Sequence, residues 1–158
     1  MHARQLALQQ GRIRIEQALH AAGPFRAGDG ADARALAKSL NALRAGGAAC
    51  VKADLLDSET PRALVAACIE QFGRLDVLFN NAGGPAPTGS ITSVPVEGFD
   101  AAMALLVRSV MLGIKHAAPI MCAQESGSII STASICGLQA GIGGHLYTVA
   151  KAAVISLT

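Results

Sequence analysis

The sequence is poor in the residues that mark several classes of protein. It has no tryptophan, one tyrosine and only 15% charged residues, and its formal net charge is +2. The few basic residues are scattered, so no nucleic-acid-binding surface is expected. The first residues show no apolar run that resembles a secretory signal. Arg108 and Lys115 interrupt the most hydrophobic stretch, which argues against a membrane span. These absences predict a cytoplasmic globular protein.

Cysteine is also sparse. The four cysteines form no C-x-x-C pair and have no paired histidines near them: Cys50, Cys68, Cys122 and Cys136. Because this spacing does not match a zinc site, we predict reduced, buried thiols and no metal centre. Hydrophobic residues make up 51% of the 158 residues, which is enough to bury one core. A single globular domain is therefore expected.

From residue 31 onward, helical and strand patterns alternate along the chain. Apolar residues at helical spacing, flanked by Gly and Pro, predict helices, and compact apolar runs predict buried strands. The predicted helices span 31–47, 57–73 and about 96–124, with a fourth after 137–145, and the predicted strands span 48–54, 75–80 and 127–133. This alternation predicts an α/β fold, with right-handed crossovers and a doubly wound parallel sheet that carries helices on both faces.

Several polar residues stand at or just beyond the ends of the predicted strands. Asp54 ends the first of them, "NNAG" (80–83) closes the second, and Ser134 follows the third. Tyr147 and Lys151 lie on the helix that follows, and their four-residue spacing puts them one helical turn apart. Because ligands bind outside the carboxyl ends of the strands in open α/β sheets, we expect one site at this edge.

Three motifs, "DVLFNNAG", "GSIISTAS" and "YTVAK", occur in this order, with Ser134 thirteen residues before Tyr147. Together they resemble the short-chain dehydrogenase/reductase family. The resemblance covers roughly residues 31–158 and implies a partial, Rossmann-like dinucleotide-binding domain, which an atypical segment over 1–30 precedes. It implies an NAD(P)-dependent oxidoreductase for a small secondary alcohol or ketone, with no nucleic-acid or membrane partner. It also implies a homo-oligomer, since in the family the long helix and the Tyr147 helix pack against a partner subunit.

The resemblance assigns catalytic roles to three residues. Tyr147 would exchange a proton with the substrate oxygen, although a free tyrosine, which titrates near pH ~10, is poorly suited to this at neutral pH. Lys151 would favour the phenolate through its positive charge and would also bind the nicotinamide ribose. Ser134 would hydrogen-bond to the substrate oxygen. The alternatives are a tyrosine at a cavity rim, a solvated lysine and a serine that only ends a strand.

The resemblance also assigns residues to the binding of the cofactor: Asp54, Leu55, Asn80, Asn81, Ala82, Gly83, Tyr147 and Lys151. The aspartate would meet the adenine ring, the two asparagines would brace the central strand, and the Ala-Gly backbone would lie close to the cofactor. A plain strand-end aspartate and a simple loop turn are the alternatives. The cofactor is NAD or NADP, and Glu16 slightly favours NAD, because an acid after the strand-like "RIRI" would repel a 2′-phosphate.

The sequence departs from the family pattern on its N-terminal side. The family begins with a strand and a glycine-rich turn that holds the pyrophosphate, and no such turn stands here. "RIRI" (12–15) is interpreted as the second strand, at an edge, while the first and the last strands of the pattern are missing. We therefore expect a fragment or a displaced reading frame, and weak dinucleotide binding by these residues alone. The strands that end at Asp54 and Asn80 would then have unpaired edges, or an apolar face open to self-association.

A second departure lies on the long helix. The family carries an asparagine that supports a water relay at the place of Leu106, and a leucine side chain can neither donate nor accept a hydrogen bond. Leu106 also falls on the predicted apolar stripe of that helix, so packing alone explains it. The alternative to an enzyme is a non-catalytic remnant that serves as a binding or dimerisation module.

Overall fold

The computed structural model describes residues 14–16, 31–43 and 45–158. The strands are β1 (Arg14–Glu16), β2 (Val77–Asn80) and β3 (Ser128–Ser131). The α-helices are α1 (Ala31–Leu43), α2 (Thr60–Phe72), α3 (Val96–Met103), α4 (Ser109–Ala123) and α5 (His145–Leu157). A π-helical turn, Ala104–Arg108, joins α3 to α4, and a 3-10 turn, Ile135–Gly137, precedes α5.

The sheet has the strand order β1-β2-β3, and both pairs are parallel. Leu78 in β2 lies opposite Ile15 on one side and Ile129 on the other. The strands predicted over 75–80 and 127–133 are confirmed, and with the helices they form a partial Rossmann-like fold. Residues 12 and 13 of the predicted "RIRI" strand lie outside the described residues. Residues 14–16 form β1, which lies at the edge of the described sheet, as predicted, but pairs directly with β2. The expectation that β2 has an unpaired edge is therefore wrong.

Residues 48–54 do not form the predicted strand. Ala48 instead exchanges two hydrogen bonds of 2.9 Å with Asn41, its N–H donating to Oδ1 and its carbonyl accepting from Nδ2. A strand persists only where a neighbour pairs with its backbone groups, and none of the described strands lies beside this segment. Val51 is accordingly 48% exposed. The apolar pattern of these residues predicted a strand, but the pattern contains no information about a pairing partner.

Helix α2 confirms the prediction made for residues 57–73. Pro61 lies in its first turn, and Gly73 ends it with a left-handed φ of 76°, which a residue with a Cβ rarely adopts. The apolar side of the helix packs against β2 and α4. This first core cluster consists of Val65, Cys68, Leu75, Leu78, Ala117 and Met121.

The long helix that was predicted over about 96–124 is present, but the π-helical turn interrupts it. Its recurring buried positions are Ala102, Leu106, Val110, Gly113, Ala117 and Met121. Leu106 packs with Leu146 and Ala150 of α5 in a second core cluster. The sequence predicts an apolar stripe of Phe99, Met103, Leu106, Val110 and Ile114 on this helix. Phe99 is 41% exposed, so that end of the predicted stripe is wrong. Small residues are buried here because the helix lies close to β2: a Cβ on Gly113 would stand 3.4 Å from Leu78 Cδ2.

The segment Val96–Ala123 is long and apolar enough to cross a membrane by length and composition alone, with a mean hydropathy of 1.4 over 18 of its residues. Arg108 and Lys115 therefore do not by themselves keep the segment below this length and composition. One such helix is weak evidence, because the core helix of a water-soluble fold passes the same test. In this structure the segment packs against α2, α5 and the sheet.

The two faces of the sheet differ in burial. Leu78 and Ile129 point into the first core cluster. On the opposite face Val77 and Phe79 are half-buried and Ile130 is 48% exposed. The described helices α2 and α4 therefore cover only one side of these strands.

Helix α1 confirms the helix predicted over 31–47, but its apolar stripe is not buried, since Leu36 is 44% and Leu43 74% exposed. The prediction of buried cysteines holds for Cys68 and is wrong for Cys50 and Cys122, which are exposed. The domain boundary after residue 30 stays a prediction.

One side chain ties the end of the long helix to the start of β2. Gln124 Oε1 accepts a hydrogen bond of 3.0 Å from the Leu75 N–H, and Nε2 donates one of 2.8 Å to the Leu75 carbonyl. Leu75 is fully buried, so its backbone groups depend on these partners. The contact fixes where β2 begins relative to α4.

We expect Gln124→Ala to lower the free energy of unfolding by about 1–3 kcal/mol, because it leaves a buried N–H and a buried carbonyl unpaired. The matched control is Gln139→Ala, which removes the same side chain at an exposed position and should change stability by less than about 0.5 kcal/mol. Urea denaturation measures both. Equal midpoints for the two variants would contradict this assignment.

Candidate active site

The carboxyl end of β2 is held between β3 and α4 by a buried asparagine. Asn80 is 3% exposed, and its Nδ2 donates a long hydrogen bond of 3.5 Å to Ser131 Oγ. Its Oδ1 is buried without a hydrogen-bond partner among the described residues. A Cβ on Gly113 of α4 would stand 2.6 Å from that Oδ1, so a larger residue there would displace the Asn80 amide. This packing supports the bracing role expected for Asn80.

Thr132, the residue after β3, joins the ends of the two strands. Its N–H donates a hydrogen bond of 2.9 Å to the Asn80 carbonyl, and its Oγ1 donates one of 2.8 Å to Asn81 Oδ1. Thr132 was not among the residues predicted for the site. The available signal was its position, since it is a polar residue at the end of a predicted strand, two residues before Ser134.

Lys151 and Tyr147 lie together on α5, as their four-residue spacing predicted. Lys151 is only 6% exposed, and its Nζ donates a hydrogen bond of 2.6 Å to the Thr132 carbonyl. The same Nζ lies 5.7 Å from the centroid of the half-buried Tyr147 ring. Burial lowers the pKa of the Lys151 ammonium below its ordinary value. The charge of Lys151 is therefore poorly solvated and close to the phenol.

These residues surround a cavity of about 500 Å³ at the carboxyl edge of the sheet. Its lining includes Asn81, Gly83, Leu106, Thr132, Tyr147 and Lys151. Leu106 closes the cavity on the side of the long helix and is 2% exposed. A Cβ on Gly83 would stand 3.2 Å from Leu106 Cδ2, so the loop after β2 lies directly on this leucine. The long helix thus presents an apolar surface to the cavity.

Ser134 is half-buried and begins the 3-10 turn that precedes α5. Its Oγ accepts a hydrogen bond of 3.2 Å from the Cys136 N–H. Ser134 is not among the residues that line the cavity. The structure therefore brings Tyr147, Lys151, Asn81 and Gly83 to one cavity and leaves Ser134 in the neighbouring turn.

The other residues assigned to the cofactor do not line this cavity. Asp54 is exposed, and its Oδ1 accepts a hydrogen bond of 2.9 Å from the Leu56 N–H. Leu55 is buried, and the Leu56 carbonyl accepts a hydrogen bond of 2.5 Å from Arg108 of the π-helical turn. This segment is thus tied to the long helix. Ala82, which stands between Asn81 and Gly83 in the loop after β2, is half-buried.

A larger cleft of about 830 Å³ lies between the long helix and the end of α5. Its lining is mainly apolar and includes Met103, Val107, Met111 and Leu157. It contains neither Tyr147 nor Lys151 nor the ends of the strands. We therefore take the smaller cavity as the candidate active site, because acid–base chemistry requires the polar groups found there.

The donors around the smaller cavity suit a ribose with its two hydroxyl groups. The Lys151 ammonium and the Tyr147 hydroxyl offer hydrogen bonds from one side, and Asn81 and the Gly83 backbone border the other. These residues therefore fit the nicotinamide-ribose end of a dinucleotide.

Comparisons with known proteins identify one family. The family model described as short chain dehydrogenase matches residues 24–158. The 2-(R)-hydroxypropyl-CoM dehydrogenase of Xanthobacter autotrophicus is 44% identical over 110 residues, which make up 68% of this chain and 44% of that protein. The chain thus spans less than half the length of this relative.

Solved structures give the same result. A short-chain dehydrogenase/reductase from Burkholderia phymatum, in complex with NAD, matches with a TM-score of 0.69 and 35% identity over 80% of this chain and 46% of that one. The NADH-dependent reductase A1-R′, complexed with NAD, matches with a TM-score of 0.71 and 34% identity over 82% of this chain and 56% of that one.

Leu106→Asn should lower the free energy of unfolding by about 1–3 kcal/mol, because the variant buries an amide without partners in an apolar cluster. We expect no gain in turnover, since no group on the surrounding helix face completes a relay. Leu106→Met keeps the volume and the apolar character and should cost less than about 1.5 kcal/mol. Urea denaturation with a parallel activity assay tests this; a faster Asn variant of unchanged stability would refute it.

The buried ammonium gives stability a defined pH dependence. Because the pKa of Lys151 is lower in the folded chain than its unfolded value of 10.5, the unfolded chain binds more protons between these two values. Stability therefore rises with pH in that window. We expect the parent protein to gain stability relative to Lys151→Met as pH rises from neutral towards the unfolded value. A pH series of denaturation curves measures the difference, and a constant or falling difference would contradict the prediction.

Proposed function

Because this chain belongs to the short-chain dehydrogenase/reductase family, we propose that it is an NAD(P)-dependent oxidoreductase that interconverts a secondary alcohol and a ketone. The observation that carries the proposal is the position of Lys151 Nζ, 5.7 Å from the Tyr147 ring at the edge of one cavity. A phenol beside a buried cation at the end of a parallel sheet is suited to proton transfer.

Tyr147 is the proposed general acid and base. In the reductive direction its hydroxyl gives a proton to the carbonyl oxygen of the substrate, and in the oxidative direction its phenolate takes the proton of the alcohol. The ring is half-buried on α5 and borders the cavity, so a substrate in the cavity can reach the hydroxyl.

Lys151 is proposed to stabilise the phenolate and to bind a ribose. Its ammonium is held by the Thr132 carbonyl at 2.6 Å, which leaves two of its three donors for the cavity. Because the group is buried, its charge acts on the phenolate in a medium of lower dielectric constant than water. A neutral side chain of the same length could not do this.

Ser134 is proposed to hydrogen-bond to the substrate oxygen and to stabilise the charge that develops there. Its place at the start of the 3-10 turn, two residues after Thr132, supports this role. Ser134 Oγ accepts a hydrogen bond from the Cys136 N–H. To bind the substrate oxygen, the same hydroxyl group must donate its own proton towards the substrate. A serine hydroxyl can do both, because it carries one donor and two acceptor lone pairs.

A nicotinamide cofactor, when bound, would supply or accept the hydride, which no side chain can do. Asn81, Gly83, Tyr147 and Lys151 would hold its nicotinamide riboside end, and we keep Asp54 and Leu55 as the proposed contacts of the adenine. Either NAD or NADP is compatible with these residues, and Glu16 slightly favours NAD. Asn80 and Ala82 would support this arrangement from the strand end.

We also propose a small-molecule substrate, a cytoplasmic location and a homo-oligomer. Exposed apolar residues on the long helix and on α5 support the last of these, since Phe99, Met111 and Val149 are 41%, 39% and 50% exposed. Sedimentation of the purified protein would contradict an oligomer if it showed a monomer alone.

Tyr147→Phe should lower turnover by at least about 100-fold without unfolding the protein, because the ring still packs while the transferable proton is lost. Reduction of a panel of ketones with millimolar NADH and NADPH, followed by the absorbance of the reduced nicotinamide, measures it. Since Tyr147 is the only tyrosine and there is no tryptophan, the loss of tyrosine fluorescence verifies the variant.

The matched control is Ser39→Ala, which also removes one hydroxyl group, from the exposed side chain of Ser39 on α1. It should leave turnover unchanged. A Tyr147→Phe protein that keeps activity close to that of this control would exclude Tyr147 as the acid–base group.

A further inference from the structure

The 3-10 turn before α5 lies directly on the backbone of that helix. A Cβ built on Gly137 would stand 2.6 Å from the Lys151 carbonyl carbon, 2.7 Å from its oxygen and 2.8 Å from the Ala152 nitrogen. These are backbone atoms of a helix, which cannot rotate aside as a side chain can. Gly137 does not have a positive φ. This position therefore requires glycine because of the close approach and not because of its conformation.

Ser134 is part of the same turn. The Gly137 N–H donates a hydrogen bond of 2.9 Å to the Ser134 carbonyl, and the Cys136 N–H donates one of 3.2 Å to Ser134 Oγ. The first bond fixes the backbone of Ser134 relative to Gly137, and the second fixes its side chain. A displacement of the turn therefore carries Ser134 with it.

The turn, and not the helix, would move if the two were forced apart. Helix α5 is anchored by buried side chains, with Leu146, Ala150 and Val154 between 0% and 4% exposed. The turn has no buried residue. A methyl group on Gly137 therefore displaces the weakly held turn and leaves Tyr147 and Lys151 in place.

We propose that Gly137 is a positioning residue, whose contact with the Lys151–Ala152 peptide sets the distance between Ser134 and the Tyr147–Lys151 pair. The proposal rests on the proposed function, since the position of Ser134 matters to the reaction only if its hydroxyl binds the substrate oxygen. A displacement of about 1 Å at such a group costs on the order of 100-fold in rate.

The first test is Gly137→Ala. We expect kcat to fall by about 10- to 100-fold, while KM for the cofactor stays the same, because α5 and its Lys151 do not move. The matched control is Gly127→Ala at the opposite end of β3, where the new Cβ would crowd the Met121 side chain. This control should lower stability and leave kcat unchanged. Equal losses of kcat in the two variants would overturn the proposal.

The second test separates positioning from a general loss of structure. In a Ser134→Ala background, Gly137→Ala should lower kcat by less than about threefold, because the group that it misplaces is already gone. Losses that multiply in the double variant would show that Gly137 does not act through Ser134, and would overturn the proposal.

The third test does not need turnover. Displacing the turn should expose the half-buried Cys136, whose Sγ lies close to Gly143. We expect iodoacetamide to modify Cys136 several-fold faster in Gly137→Ala, with the exposed Cys50 and Cys122 as internal references, as read by peptide mass spectrometry. If the parent protein shows no turnover, the proposed function fails, and this measurement still decides whether Gly137 holds the turn in place. An unchanged rate at Cys136 overturns the proposal.

Discussion

The hydrogen bond from the buried Lys151 ammonium to the Thr132 carbonyl is the contact on which the site depends. An ammonium group out of water is costly unless acceptors surround it. Thr132 also bonds to Asn81 and to the backbone of Asn80, so one residue connects α5 with the ends of two strands. The position of the charge is therefore determined by backbone atoms of the sheet. The apolar side chain of Leu106 closes the cavity on the side of the long helix. A ligand can therefore approach the Lys151 ammonium only from the open side of the cavity.

Much of this fold follows from local patterns. The helices over 31–43, 60–72 and 145–157 and the strands over 77–80 and 128–131 match their apolar periodicity, and the Tyr147–Lys151 contact follows from a spacing of one helical turn. The strand predicted over 48–54 is absent, because a strand needs a partner strand beside it. The residues of the segment do not show whether that partner is present. The same limit explains why the pairing of β1 with β2 was not predicted. The segments 14–16 and 48–54 both have strand propensity, and the sequence does not show which of them pairs with β2.

The site was predictable only in part. Residue types and spacing identify groups that can move protons, such as Tyr147 and Lys151. They do not identify groups whose contribution is a backbone atom, such as the Thr132 carbonyl, or the absence of a side chain, such as Gly113 beside Asn80 and Gly137 beside the α5 backbone. Their importance comes from distances of closest approach between elements far apart in the chain. Those distances appear only when the structure is assembled.

The π-helical turn Ala104–Arg108 has a consequence for how the long helix can vary. The buried Met121 lies 19 positions after the buried Ala102, five turns along the helix, whereas five turns of an ideal α-helix advance about 18 positions. The wider turn absorbs the additional residue and keeps both halves of the helix in rotational phase with their separate cores. Deleting one residue within this turn would restore a regular helix but rotate one half by about 100° relative to the other. An irregular backbone is thus what allows a single helix to serve two packing surfaces.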